Sequence, residues 1–332
     1  MLGDAGVVTV QVDESAAESM SPVPLASPAL RLLNYSVETT LSLLGDTVTT
    51  DAGQLVTSAP AITVLLAFAT PVVGVTIDTF VVVGAGVTAG SFVEVEPGLM
   101  FSISISMGQS PTVTVNVPDS AHGITPPNVP ATVQCTYKPS VSLSSSVVSN
   151  GESTSMVVVP VTATFGTAVL GVHSGSFAVE GGVVDGISLV GPAHGPYTQA
   201  VLSVQLLGVE TVSVGVNTTS SAIVPAPNSP DQFVFSYTPL VTLSFGDNLS
   251  PGSVTSIVAT TVTATFATPV SGVSASDFLI NGASGFGFQQ ATPMVYVIGL
   301  TLGPASTVEV SMEANSGSVS PPNAFGGTVA IR

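Results

Sequence analysis

The sequence predicts an all-β protein built from tandem two-sheet sandwiches, each of about seven strands. Three observations support this prediction. Of the 332 residues, 45% are apolar and only 7% are charged, and the chain favours Val, Thr, Ser, Gly and Pro over helix-forming residues. Apolar and polar residues alternate in runs of about five to nine residues, which Gly, Pro, Asn and Ser clusters separate. The same sequence markers also return about every 100 residues, a period that suits whole domains.

Four markers recur in the same order and define the repeat. The first is a strand of the type Val-Thr-Ala-Thr-Phe, whose phenylalanines lie 97 and 101 residues apart at Phe68, Phe165 and Phe266. A second phenylalanine keeps the same two spacings at Phe80, Phe177 and Phe278. A strand that alternates with valine begins at Thr112, Thr211 and Thr307, and a Tyr-x-Pro sequence closes the unit at Tyr137 and Tyr237. The retained order and spacing predict internal repetition.

The second unit shows how the strands are predicted. Alternation and turn residues place its strands, in chain order, near 140–147, 157–165, 175–180, 186–190, 198–206, 211–217 and 232–237. The valines of each run face one side and Thr, Ser or Asn the other, as in a strand with one buried face. The repeated phenylalanines fall on the apolar side. We therefore expect each pair, such as Phe165 with Phe177, to anchor one core.

The repeat spacing predicts domains at 37–139, 140–239 and 240–332. Residues 1–36 fit the C-terminal strands of a preceding repeat, because Leu2–Val10 aligns with Leu302–Val310. Two explanations stay open. Either the chain is a window cut from a longer array, or the strands within 1–36 are completed by a neighbouring subunit.

The third unit carries a family resemblance. Its residues 262–278 read Val-Thr-Ala-Thr-Phe-Ala-Thr-Pro-Val-Ser-Gly-Val-Ser-Ala-Ser-Asp-Phe. This segment resembles the bacterial immunoglobulin-like (Big-type) repeats of large extracellular adhesins and surface filament proteins. The second unit departs from the pattern, with Ala168 in place of the proline and Ser176 in place of the aspartate. The resemblance implies immunoglobulin-like β-sandwiches and a cell-surface setting, and it extends over all three units.

Composition and charge exclude several classes of protein. Three basic residues (Arg31, Lys138 and Arg332) stand against twenty carboxylates, for a formal charge of −17. So few cations cannot neutralise the phosphates of a nucleic acid. The apolar stretch from Ala61 to Val75 contains Thr and Pro and is shorter than the ~20 residues of a spanning helix. With no catalytic motif either, the sequence predicts no enzyme, no nucleic-acid partner and no membrane insertion in this segment.

No cluster of metal-binding residues stands out. His122, His173 and His194 lie far apart, so we expect exposed loop histidines. The lone cysteine, Cys135, aligns with core positions and is expected to be a buried hydrophobic residue. The acidic pairs, Glu94 with Glu96 and Asp13 with Glu14, do not form a calcium-binding loop. We expect no cofactor, and calcium at the domain junctions is the alternative.

Three sequons make N-glycosylation the one modification that the sequence suggests. They begin at Asn34, Asn217 and Asn248, and Pro251 disfavours the last. No catalytic or cofactor-binding residue is predicted.

These observations predict a structural extracellular protein, a segment of a long array that forms a rod, filament or hair-like appendage at the cell surface. Its partners would be copies of itself or other filament subunits, and glycans. The first alternative is an adhesin stalk or binding module that recognises a glycan or a protein. The second is a spacer attached to an enzyme. The Tyr-x-Pro boundary leaves almost no slack between domains, and its proline should stiffen the joint.

Overall fold

The computed structural model describes residues 7–11, 30–45, 48–51, 53–121, 123–217, 222–228, 232–315 and 318–332. Strands dominate these residues and pair into seven sheets. The helices of the described residues are single 3₁₀ turns at Ile77–Thr79, Ser174–Ser176 and Ala275–Asp277. None of the described helices has the length and apolar character needed to cross a membrane.

Near the amino end, β1 (Val7–Gln11) and β2 (Leu30–Asn34) form an antiparallel two-stranded sheet. Val7 lies opposite Asn34, and Gln11 lies opposite Leu30.

Residues 39–137 form the first sandwich. One sheet has the order β3-β6-β10-β8, with β9 also paired to β10, and the other has the order β4-β5-β12-β11-β7. The strands are β3 (Thr39–Leu44), β4 (Val48–Asp51), β5 (Gln54–Thr57), β6 (Ala61–Phe68), β7 (Val81–Val83), β8 (Ala85–Val87), β9 (Val93–Glu96), β10 (Met100–Met107), β11 (Thr112–Val117) and β12 (Ala131–Tyr137). Neighbouring strands are antiparallel except β5 and β12, which run parallel.

The core of the first sandwich follows from alternation. Every second residue of β6 and of β11 is buried, and the side chains between them face outward. Phe68 meets Phe101 edge to face, with ring centroids 6.0 Å apart, and both rings are buried. Full burial of one such side chain contributes about 1.5–3 kcal/mol. The apolar stretch that begins at Ala61 therefore forms a core strand, Ala61–Phe68.

The second sandwich lies within residues 141–237. Its sheets have the orders β13-β15-β18-β17 and β14-β20-β19-β16. The strands are β13 (Val141–Ser145), β14 (Ser153–Thr154), β15 (Val158–Val169), β16 (Phe177–Glu180), β17 (Gly182–Val190), β18 (Tyr197–Leu206), β19 (Thr211–Val216) and β20 (Phe233–Tyr237). All seven predicted strands are present, and β14 is an addition.

The third sandwich lies within residues 241–331. Its sheets have the orders β21-β22-β25-β24 and β23-β26-β27. The strands are β21 (Val241–Phe245), β22 (Ala259–Phe266), β23 (Phe278–Asn281), β24 (Ala283–Thr292), β25 (Val295–Leu302), β26 (Val308–Met312) and β27 (Thr328–Ile331). Phe266 meets Tyr296 edge to face at 5.7 Å, and both are buried.

The predicted fold class is confirmed: the chain is built from immunoglobulin-like β-sandwiches. The six repeated phenylalanines predicted to anchor the cores are all buried, namely Phe68, Phe80, Phe165, Phe177, Phe266 and Phe278.

Contacts divide the chain into two compact units. The first comprises Met1–Ser140, Gly166–Leu170 and Ile223–Asn228, and the second comprises Val141–Phe165, Gly171–Ala222 and Ser229–Arg332. The domain boundaries drawn from the sequence after residues 36, 139 and 239 stay predictions.

Candidate functional site at the repeat junctions

A tyrosine and a threonine are joined by their hydroxyl groups at the start of each predicted repeat. The tyrosine is the last residue of the strand that precedes the predicted boundary, or the first residue after that strand. The threonine lies two residues past the repeated phenylalanine. The oxygen–oxygen distances are 3.1 Å for Tyr35–Thr70, 3.0 Å for Tyr137–Thr167 and 3.2 Å for Tyr237–Thr268. We call these the junction pairs. Each pair lies within one of the two compact units.

In two of the junction pairs, those of Tyr137 and Tyr237, the tyrosine is buried, so its hydrogen bond contributes to stability. The side chains of Tyr137 and Tyr237 are 1% and 0% exposed, whereas Tyr35 is half-buried. Burial raises the pKa of both buried tyrosines, and the hydrogen bonds to Thr167 and Thr268 offset the rise in part. The hydroxyls are therefore protonated at neutral pH. A buried hydroxyl without a partner costs about 1–3 kcal/mol, so the bonds to Thr167 and Thr268 remove this penalty for the two buried tyrosines.

Backbone hydrogen bonds fix the linker that follows each tyrosine. The carbonyl of the residue two positions after the tyrosine accepts a hydrogen bond from a backbone N–H. The donor lies in the loop that leads into the last strand of the following repeat. The bonds are Val129 N to Val37 O, Asn228 N to Pro139 O and Ala324 N to Pro239 O, at 2.9, 3.0 and 3.0 Å. The next carbonyl accepts the N–H of the residue after the repeated phenylalanine. These bonds are Ala69 N to Glu38 O, Gly166 N to Ser140 O and Ala267 N to Leu240 O, at 3.0, 2.7 and 2.9 Å.

A glycine turn follows each threonine. Gly74, Gly171 and Gly272 have φ of +86°, +72° and +77°. A Cβ atom at these positions would overlap the carbonyl oxygens of Gly123, Ala222 and Ser318, respectively. The turn therefore requires glycine for its backbone conformation and for the close approach of the opposing loop.

A capped 3₁₀ turn comes next. The N–H of its capping residue is held by the side chain three residues later. The pairs are Thr76 with Thr79, His173 with Ser176 and Ser274 with Asp277, at 3.1, 3.1 and 2.7 Å. The third unit adds Ser318, whose hydroxyl reaches both oxygens of Asp277 at 3.2 and 3.1 Å. Asp277 is buried, so these bonds compensate the cost of removing its carboxyl group from water.

The histidines serve turns and loops where the structure describes them. His173 is exposed, and its Nδ1 accepts a hydrogen bond from the N–H of Gly175 at 3.1 Å. His194 lies exposed in a turn, whereas His122 lies outside the described residues. No group of three or more His, Cys, Asp or Glu side chains gathers around a common point in the described part of the chain.

The remaining residues singled out from the sequence are dispersed. Cys135 is buried in the first sandwich, and burial raises the pKa of its thiol. Glu94 and Glu96 are exposed on β9, and Glu94 Oε1 accepts the N–H of Gly98 at 2.7 Å. Asp13 and Glu14 lie outside the described residues.

The three sequons occupy different surroundings. Asn34 ends β2. Asn217 is half-buried just after β19, and its N–H bonds to the carbonyl of Ser176 at 2.8 Å. Asn248 is exposed in a turn, with φ of +57°, and Ser250 beside it is exposed as well. Asn248 is thus more accessible than Asn217.

The sequence did not reveal the threonine partners or a buried asparagine in the first and third units. Asn128 and Asn323 are fully buried and each donates from Nδ2 to the carbonyl of a residue ten positions earlier, Pro118 or Glu313, at 2.8 Å. The Pro-Pro-Asn sequence common to both loops could have indicated them. In the second unit the loop reads Pro-Ala-Pro-Asn, and Asn228, one residue out of register, takes the place of Val129 at the linker carbonyl.

No known protein family matches the chain, and no curated protein matches it in sequence. Solved structures that align with it include FdeC, an adhesin of Escherichia coli, with 17% identity and a TM-score of 0.25 over 89% of this chain and 96% of that one. The bacterial integrin-binding protein invasin aligns with 11% identity and a TM-score of 0.29, over 89% of this chain and 60% of invasin. A marsupial T cell receptor aligns with 9% identity and a TM-score of 0.18, over 87% of this chain and all of that one (100%). Identities and TM-scores this low do not indicate a function, and the assignment of the fold rests on the strand pairing.

Proposed function

We propose that the chain is a structural segment of a long extracellular array of immunoglobulin-like sandwiches that forms a rod or filament at the cell surface. The observation that carries this proposal is the junction pair, which recurs with the same partners at each of the three predicted repeat starts. Each linker is also fixed at two successive carbonyls, so the chain has little freedom there. Joints of one kind, repeated along a chain, give a length that scales with the number of repeats.

The acidic composition of the chain supports an extracellular structural role. With twenty carboxylates and three basic residues, the chain keeps a large net charge away from zero. Such a charge keeps a β-rich chain soluble and disfavours unwanted pairing of strand edges. The partners proposed here are copies of the chain or other filament subunits, and the sequons add glycans as surface modifications.

Electron microscopy of the native material, with antibody raised against this chain, tests the proposal. We expect gold label along ordered filaments outside the cell, with an axial repeat that matches whole sandwiches. Label confined to isolated flexible strings would contradict the filament and favour the alternative, an adhesin stalk or binding module. Label inside the cell would contradict both.

A further inference from the structure

A cleft of about 570 Å³ opens on the first sandwich, beside the hairpin of β4 and β5. Its walls are residues 53–55 of the hairpin, residues 132–136 of β12, and Thr112 of β11. The volume falls within the ~300–1,000 Å³ of typical ligand sites. None of the lining side chains is charged, and hydroxyl and amide groups, such as those of Thr132 and Gln134, predominate.

One wall of this cleft is a strand edge. Strand β5 pairs with β12 only where Leu55–Thr57 lie opposite Cys135–Tyr137. The N–H of Tyr137 bonds to Pro111 O on the β11 side, and the N–H of Lys138 bonds to Thr57 O on the β5 side. Backbone groups alternate in direction along a strand, so those of Thr132 and Gln134 point away from β11. In the described part of the chain, no strand pairs with β12 on that side before Cys135.

The second sandwich closes the corresponding edge with its own residues. Val234, which matches Gln134 in strand register, donates its N–H to Asn150 Oδ1 at 2.7 Å and accepts the N–H of Gly151 at 2.7 Å. In the first sandwich the chain turns into the hairpin instead, between Asp51 and Gln54. The extra hairpin thus leaves the beginning of β12 uncovered and builds the cleft.

We propose that this cleft is a strand-addition site for an extended peptide segment of another protein that carries no carboxylates. Addition to the edge of β12 would pair the outward N–H of Gln134 and both backbone groups of Thr132. The neutral lining accommodates alternate side chains of the peptide without requiring a charge. The net charge of −17 repels acidic segments and favours neutral or basic ones. This site does not depend on the structural role proposed above.

The first test uses the full chain and a fluorescently labelled peptide, acetyl-Thr-Val-Thr-Val-Asn-Val-amide. This is the sequence of β11, which already pairs along the other edge of β12. We expect saturable binding by fluorescence anisotropy and slower amide hydrogen exchange in residues 129–137. The matched control is the same peptide N-methylated at every residue. It has no N–H group to donate on either edge and should bind at least about tenfold more weakly.

The second test uses two variants of one residue. Thr132→Pro removes an outward N–H and no backbone bond to β11, and should weaken peptide binding about fivefold or more. It also removes the bond from the Thr132 hydroxyl to Asn116 Oδ1 on β11, and the alanine variant loses the same bond. Thr132→Ala keeps the N–H and should bind as the parent chain does. Equal losses in both variants, equal binding of the N-methylated peptide, or no binding at millimolar peptide would overturn the proposal. Binding of cellotetraose with the same exchange protection, in place of the peptide, would overturn it in favour of a glycan site. If circular dichroism shows that Thr132→Pro does not fold, the comparison of the two peptides on the parent chain decides.

Discussion

The hydroxyl of Thr268 donates to that of Tyr237 over 3.2 Å, and both side chains are buried. Thr268 lies two residues beyond Phe266, a core residue of the third sandwich, whereas Tyr237 ends the last strand of the second. The bond therefore joins two successive sandwiches inside the second compact unit. Its counterparts at Tyr35 and Tyr137 show that it is a property of the repeat.

Tyr237→Phe should lower the free energy of unfolding by about 1–2 kcal/mol, because the hydroxyl of Thr268 loses its partner in a buried place. Chemical denaturation followed by circular dichroism measures the change. Tyr35→Phe is the matched control, since Tyr35 is half-buried and Thr70 is exposed, so water can replace the bond. Equal losses in the two variants would contradict the role of burial.

Gly272→Ala should cost on the order of 3 kcal/mol or more, because the new Cβ overlaps the carbonyl of Ser318 and φ is positive. Gly252→Ala separates the cost of the positive φ from the cost of the overlap. Gly252 also has a positive φ, +84°, but a Cβ there meets nothing within 4 Å. That control should cost only the ~1–2 kcal/mol of the left-handed backbone. Similar midpoints of denaturation for both variants would refute the close approach.

Asp277→Ala should destabilise the third sandwich by about 2–3 kcal/mol, since it leaves the N–H of Ser274 and the hydroxyl of Ser318 without their acceptor. Asp277→Ser introduces the residue found at the matching position 176 and should keep the cap. Urea denaturation of both variants tests this order, and an equal loss in the two would contradict it.

Alkaline pH should destabilise the protein through the buried tyrosines. Burial raises the pKa of Tyr137, Tyr237 and Tyr296 in the folded chain. The unfolded chain then loses phenolic protons more readily than the folded chain, so stability is complete below about pH 10, the ordinary tyrosine pKa, and falls as pH rises above it. The absorbance of tyrosinate near ~295 nm should rise late and together with the loss of β structure. Ionisation of all five tyrosines before unfolding would contradict the prediction.

Secretion of the chain through a eukaryotic host should give glycan at Asn248 in part of the molecules. Its turn is exposed, although Pro251 disfavours the sequon. Peptide mass spectrometry measures occupancy, and Asn248→Gln provides the control. An unmodified Asn248 alongside occupied Asn34 or Asn217 would show that accessibility in the folded chain does not decide the site.

Strand positions were predictable because alternation is strong in this sequence. The exceptions have local causes. The strand predicted near 186–190 begins earlier, because β17 starts at Gly182 and passes through a bulge between Val184 and Gly186 that keeps it paired to β18. Strand β14 has two residues, too few to show a period, and its place is set by parallel pairing with β20.

The junction was predictable only in part. The recurring Tyr-x-Pro sequence marked it, but the hydroxyl partner lies 30 to 35 residues away along the chain. Threonine is also so common here that position alone does not single out Thr167 or Thr268. The open edge of β12 was beyond prediction, because it results from where a hairpin turns and not from the residues that it exposes.

Each junction tyrosine and its threonine lie in successive repeats, and this arrangement affects how the gene can gain or lose repeats. A duplicated or deleted stretch of one full period, wherever it begins, leaves every tyrosine followed by a matching threonine. Recombination between repeats can therefore lengthen or shorten the protein without creating a mismatched joint, and a gain or loss of half a period would break one.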